Sequence, residues 1–148
     1  MKPALDCRAG SEGDEMALLV GALLAVSVGL FAAVSGLDRD RAFYPTVAIV
    51  IASYYSLFAV MAASTRALVL ESIVAAAFLA TATLGFRSSL WVVVTVLGAH
   101  GAFDLVHRTF ISNPGVPTWW PAFCLTYDVT AAGYLGWRLM SGRISAST

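Results

Sequence analysis

MALLVGALLAVSVGLFAAVSG, residues 16–36, carries no ionisable side chain and matches the roughly 20 apolar residues that a hydrocarbon core of about 30 Å requires. It reads as a membrane-spanning helix. Outward from it the pattern repeats over Phe43 to Ser64, Ala67 to Phe86, Ser88 to Ile111 and Thr118 to Leu139. The connections between these stretches are only a few residues long, which sets consecutive helices antiparallel and side by side. The expected fold is all-α, a polytopic integral membrane helical bundle of about five transmembrane helices. A polar N-terminal leader covers residues 1–15, a single helical domain 16–140 and a polar tail 141–148. The stretch from His100 to Arg108 holds four ionisable residues, so a four-helix alternative lays that half on the surface as an amphipathic segment.

Composition supports the membrane reading. Of 148 residues, 59% are hydrophobic and 12% charged, against roughly 25% charged in a soluble domain. The formal net charge is zero and no Lys/Arg run occurs, which excludes a nucleic-acid partner. The expected partner is membrane lipid, and little chain is left over for a separate extramembrane domain. Cys7 lies in the leader and Cys124 in an apolar stretch, so no disulfide framework is implied. The acidic leader and the length of the first apolar run favour a retained helix over a cleaved signal, although Ala33-Val34-Ser35 has the small residues of a cleavage site.

Helix starts are marked by Tyr44-Pro45 and Trp119-Trp120-Pro121, where proline meets a first-turn position with no N–H partner to lose. Ala17, Gly21, Ala25, Gly29 and Ala33 recur every fourth residue as a ridge of small side chains, suited to a close helix contact within the bundle or across a homo-oligomer. With five spans, Lys2, Arg8, Arg66 and Arg108 share one side, and Arg39, Arg41, Arg87, Arg138 and Arg143 the other. That balance leans toward an outside N-terminus and a cytoplasmic C-terminus.

The ionisable residues inside spans include Glu71, His100, Asp104, His107 and Asp128. Each costs roughly 2.5–3.5 kcal/mol to insert, so such groups point to a site. Counted from the N-terminal side at the helical rise, Glu71 and Asp104 lie about 6 Å deep, His107 about 2 Å, His100 about 12 Å and Asp128 about 14 Å, all in one half of the bilayer. Tyr54 and Tyr55 floor this layer. Cys124 and Tyr127 line it, and Trp119 and Trp120 stand at its mouth, beside a connection, Asn113-Pro114-Gly115-Val116-Pro117, that is either a lid or a tight turn.

His100, Asp104 and His107 share one face of a helix, a face expected to meet the fifth helix. The rise from His100 to His107 keeps one ion from taking both histidines. The candidate metal sets are His100 with Asp104 and Asp128, or Asp104 with His107 and Glu71. Both leave a coordination position open, as catalysis requires. Arg108 reads as an interfacial anchor or a partner for Glu71.

His100-x-x-x-Asp104-x-x-His107 and Asp128 together resemble, over less than a fifth of the chain, membrane hydrolases of the alkaline ceramidase and adiponectin receptor kind. The resemblance implies zinc held among helices by His and Asp. Those proteins differ in having seven helices and a paired-histidine motif near the end. The residues point to a metal-dependent hydrolase of an amphiphilic or lipid substrate, with zinc or iron on His100, Asp104 and Asp128, and Glu71 and His107 as catalytic proton-transfer groups. The alternative is a noncatalytic membrane subunit, a transporter component or assembly partner, that uses the same residues for packing or for proton or ion passage.

Overall fold

Five helices follow one another with hardly any intervening chain: α1 (Pro3–Ser35), α2 (Phe43–Met61), α3 (Thr65–Arg87), α4 (Leu90–Phe110) and α5 (Trp120–Met140), with a 3-10 turn at Leu37–Arg39. The computed structural model describes residues 3–147, with side chains from Glu12 onward, so the Cys7 side chain lies outside the described residues. The first helix begins at Pro3, ahead of the Met16 start expected from its apolar run.

Local chemistry ends each helix where the sequence changes. Gly36 takes a left-handed conformation at φ 78° and stops α1, as a residue without Cβ does most cheaply. Between α2 and α3, Ala63 adopts φ 51° while the Ser64 N–H reaches back to the Ala59 carbonyl at 3.0 Å. The Ser64 hydroxyl then caps α3 by accepting from the Ala67 N–H at 3.4 Å. At the far end of α3, the Arg41 guanidinium donates to the carbonyls of Phe86 (2.7 Å), Ser88 (2.9 Å) and Ala146 (3.0 Å). One side chain thereby satisfies orphan carbonyls of α3 and pins the C-terminal tail, whose Ala146 carbonyl also accepts from the Leu90 N–H at 2.9 Å.

Neighbours run in the order α1–α5–α4–α3–α2. A groove between α1 and α2 is floored by α5. The outer faces carry Leu19, Leu23, Phe31, Ile73, Leu84, Leu105 and Phe110, all well exposed, whereas Glu71, His100, Asp104, His107 and Asp128 are buried. Apolar outside and polar inside is the arrangement that lipid demands. Four helices, α1 from Glu12 onward, α2, α3 and α4, are long and apolar enough to cross a membrane.

The hydropathic shortfall falls on α5, not on α4. The latter runs unbroken through His100 to Arg108 and is one of the four helices apolar enough to span. In α5, Asp128, Arg138 and interspersed Thr, Tyr, Gly and Trp dilute the apolar residues. The helix tolerates them because Asp128 and Arg138 are buried against α1, α4 and the α1–α2 connection, out of reach of lipid.

The small-residue ridge of α1 lies against α5. Ala17, Gly21, Ala25 and Gly29 are buried, and Ala32 completes the line where Ala33 was expected; Ala33 is only partly covered. A Cβ on Gly21 would stand 2.3 Å from the Phe123 carbonyl oxygen and 2.5 Å from Thr126 Oγ1. The contact is thus within one bundle and depends on backbone proximity. Gly21→Ala is expected to destabilise by about 1–3 kcal/mol through overpacking against backbone. Gly98→Ala, whose Cβ meets nothing within 4 Å, is expected to be neutral or to gain up to about 1 kcal/mol from helix propensity. Detergent melting curves of the two variants check this contrast; equal melting temperatures would remove α1 from the packing argument.

Candidate metal centre and its polar network

Two turns of α4 set the site. His100 and Asp104, four residues apart, face the same way, so His100 Nδ1 lies 3.6 Å from Asp104 Oδ2. α5 crosses close enough at Gly101, where a Cβ would lie 3.2 Å from the Leu125 carbonyl oxygen, to bring Asp128 Oδ2 within 2.7 Å of the same Nδ1. Tyr55 of α2 donates its hydroxyl to Asp104 Oδ1 at 2.6 Å. One ligand atom from each of His100, Asp104 and Asp128 lies within 4.8 Å of the others, and all three residues are buried.

One turn further, the same face of α4 turns to α3. His107 Nε2 pairs with Glu71 Oε1 at 2.8 Å, and the Asn113 amide donates to the same oxygen at 2.9 Å and to the Tyr55 carbonyl at 3.0 Å. The Tyr55 ring stacks on His107 with centroids 4.1 Å apart. Tyr55 is therefore the bridge between the two halves: hydroxyl to Asp104, ring to His107, carbonyl to Asn113. Of the two metal sets drawn from the sequence, the structure assembles His100, Asp104 and Asp128; Glu71 and His107 form a separate, directly bonded pair.

The cluster is sealed rather than open, which corrects the expected polar pocket: none of its five ionisable residues is more than 3% exposed. Phe78 and Phe103 close it edge-on against His100 and His107, with ring centroids 4.9 and 5.5 Å away. Inside this shell, Asp104 Oδ2, Asp128 Oδ1 and His107 Nδ1 have no hydrogen-bond partner. Three carboxyl groups and two imidazoles share this interior.

Those open oxygens suit a cation. Nitrogen and oxygen ligands about 2.0–2.2 Å from a tetrahedral ion stand roughly 3.4 Å from one another. The donor atoms bracket that spacing, and a bound ion would take the place of the proton between His100 and Asp128. Two oxygens and one nitrogen fit zinc or iron and leave a fourth position free.

Five of the six expected pocket-lining residues, Tyr54, Trp119, Trp120, Cys124 and Tyr127, instead border the apolar groove of about 630 Å³ between α1, α2 and α5. Tyr55 belongs to the polar cluster and not to the groove. Cys124 lines the groove and precedes Asp128 by one turn of α5. Arg108 is exposed and bonds the carbonyls of Pro117 (3.3 Å) and Thr118 (2.9 Å), leaving Glu71 to His107 and Asn113.

Asn113 escaped the sequence reading as a site residue; a polar amide in a Pro/Gly connection beside the pocket mouth was the available signal. Asp38 and Arg138 also escaped it. They form a buried ion pair at the opposite end of the bundle, joining the 3-10 turn to α5.

The chain matches no protein-family model, no curated protein and no solved structure.

The Tyr55–Asp104 bond is open to a direct check. Tyr55→Phe keeps the ring on His107 but removes the hydroxyl, and is expected to cost about 1.5–3 kcal/mol as the loss of a hydrogen bond to a charged group. In a double-mutant cycle with Asp104→Asn, measured by detergent unfolding, a coupling of about 0.5–3 kcal/mol is expected. Additive effects would separate the two side chains energetically.

Proposed function

We propose that this chain is a metal-dependent membrane hydrolase acting on an amphiphile. The single observation carrying the proposal is the buried His100, Asp104 and Asp128 group, with two unpartnered carboxylate oxygens. A divalent cation there, zinc or iron, supplies Lewis acidity and activation of water at neutral pH.

The chain's own residues then have distinct tasks. His100, Asp104 and Asp128 hold the ion, and Tyr55 fixes Asp104 through its hydroxyl. Glu71 and His107 accept and return the proton: their bond fixes His107 Nε2, while His107 Nδ1 stays unpaired. Hydrolysis adds the elements of water across an acyl C–O or C–N bond; the hydroxyl goes to the acyl carbon and the proton, by way of this pair, to the leaving group. The groove beside Cys124 gives an amphiphile a route from the lipid to the carboxylates. Side chains of that wall must move for the reacting bond to reach them.

The 2.7 Å bond between His100 and Asp128 favours a second reading, a noncatalytic bolt between α4 and α5. The two readings part on isosteric neutralisation. Asp104→Asn and Asp128→Asn keep the shape but weaken the ligand set, so metal content measured by elemental analysis is expected to fall from about one ion per chain by tenfold or more, with folding retained. For a bolt, the same changes are tolerated or stabilising. Absence of stoichiometric metal in the wild type after reconstitution with zinc and with iron would overturn the hydrolase proposal.

A further inference from the structure

Arg39, Arg41, Arg87, Arg138 and Arg143 all lie at the end of the bundle where α3 gives way to α4. There Gly142, at φ 67°, turns the chain back after α5. The tail that follows is fixed in place: Ile144 is buried, and the Ala146 carbonyl accepts from both the Leu90 N–H and Arg41. This tail and the 3-10 turn after α1 border a recess of about 330 Å³, with Arg39, Arg41 and Arg143 around it and the apolar Leu90 and Ile144 in its wall.

What balances these charges decides what the recess can hold. Asp38 also borders it, but is only 2% exposed and has its charge met by the buried Arg138. Asp40 turns Oδ1 to the Ala42 N–H at 2.9 Å. Among the described residues, Arg39, Arg41 and Arg143 form no ion pair. Arg41 spends its donors on neutral carbonyls, which leaves its charge in place. Arg143 lies 4.5 Å over the Trp137 ring, a contact that holds a guanidinium without cancelling its charge. Arg39 and Arg143 are exposed and so within reach of an anion from outside.

The level of the recess narrows the ligand class. Trp91, in the first turn of α4, and Trp137, in the last turn of α5, are both exposed. They stand at one height, since a Cβ on Gly136, the residue before Trp137, would lie 3.7 Å from the Trp91 ring. Tryptophans so placed mark the boundary between hydrocarbon and headgroups. Arg39, Arg41 and Arg143 lie in the connections beyond the helix ends, on the headgroup side of that boundary. The anion met there is a phosphate, which guanidinium groups bind through paired N–H···O bonds.

We propose that this recess binds a phosphate group, presented by an anionic lipid headgroup of the adjoining leaflet. The site stands apart from the metal centre: His100 is ten residues, or about 15 Å, along α4 from Leu90. It therefore holds whether or not the chain is a hydrolase.

The full chain, purified in a nonionic detergent, is titrated with radiolabelled phosphatidylglycerol and, separately, with radiolabelled phosphatidylcholine. Saturable retention of about one phosphatidylglycerol per chain is expected, with an affinity about tenfold or more above that for phosphatidylcholine. Arg39→Gln and Arg143→Gln change exposed positions, so the fold tolerates them; each is expected to weaken the anionic lipid about fivefold and to leave phosphatidylcholine unchanged. Arg41 is kept in both variants because it caps α3 and holds the tail. Arg66→Gln, at an exposed position on the opposite end, is expected to alter neither lipid.

Inorganic phosphate separates the two sources of the anion. Retention that withstands a large molar excess of phosphate at constant ionic strength supports the headgroup. Displacement by phosphate that is itself lost in Arg39→Gln and Arg143→Gln keeps the phosphate site and overturns the lipid as its source. Equal affinity for the two lipids in wild type, or an equal loss in Arg66→Gln, would overturn the proposal altogether.

Discussion

A charged or polar group in hydrocarbon must find its partner inside the protein, and in this chain that requirement is met around one residue, Tyr55. Its hydroxyl, ring and backbone carbonyl engage Asp104, His107 and Asn113, and through them α4, α3 and the α4–α5 connection. Van der Waals contact between helices is weakly directional and lipid competes with it on nearly equal terms. The polar bonds therefore set which faces of α2, α3, α4 and α5 turn inward. α1 takes no part in them and is held instead by the fit of its glycines to α5. The bundle thus combines two kinds of adhesion, one polar and one made of close backbone approach.

The polar network and the groove are complementary. The network is buried and polar; the groove is open and nearly without polar atoms. The two are neighbours along α2, through Tyr54 and Tyr55, and along α5, through Cys124, Tyr127 and Asp128. The apolar surroundings of the buried ionisable groups keep bulk water away from them, which strengthens every electrostatic interaction there.

Much of this was legible in the sequence. The five helices and their order follow from hydropathy, and the grouping of His100, Asp104 and Asp128 from helical spacing. The ridge of α1 followed from periodicity, down to Gly21 and Gly29. Lateral geometry was not legible. Depth alone left two metal sets open, since it does not say that α4 turns His100 toward α5 and His107 toward α3. Nor does it show that Arg108 spends its donors on Pro117 and Thr118. Asp38 lies in a connection and Arg138 near the end of an apolar run, and only folding brings them together.

The modest apolarity of α5 bears on how the protein enters the membrane. On insertion scales a central Asp or Arg costs roughly 2.5–3.5 kcal/mol, and α5 carries Asp128 and Arg138 with few strongly apolar residues to offset them. It is poorly suited to partition alone. The counter-groups it needs are made earlier in the chain: His100 on α4 for Asp128, and Asp38 beyond α1 for Arg138. α5 is therefore the helix whose place is prepared by the elements before it.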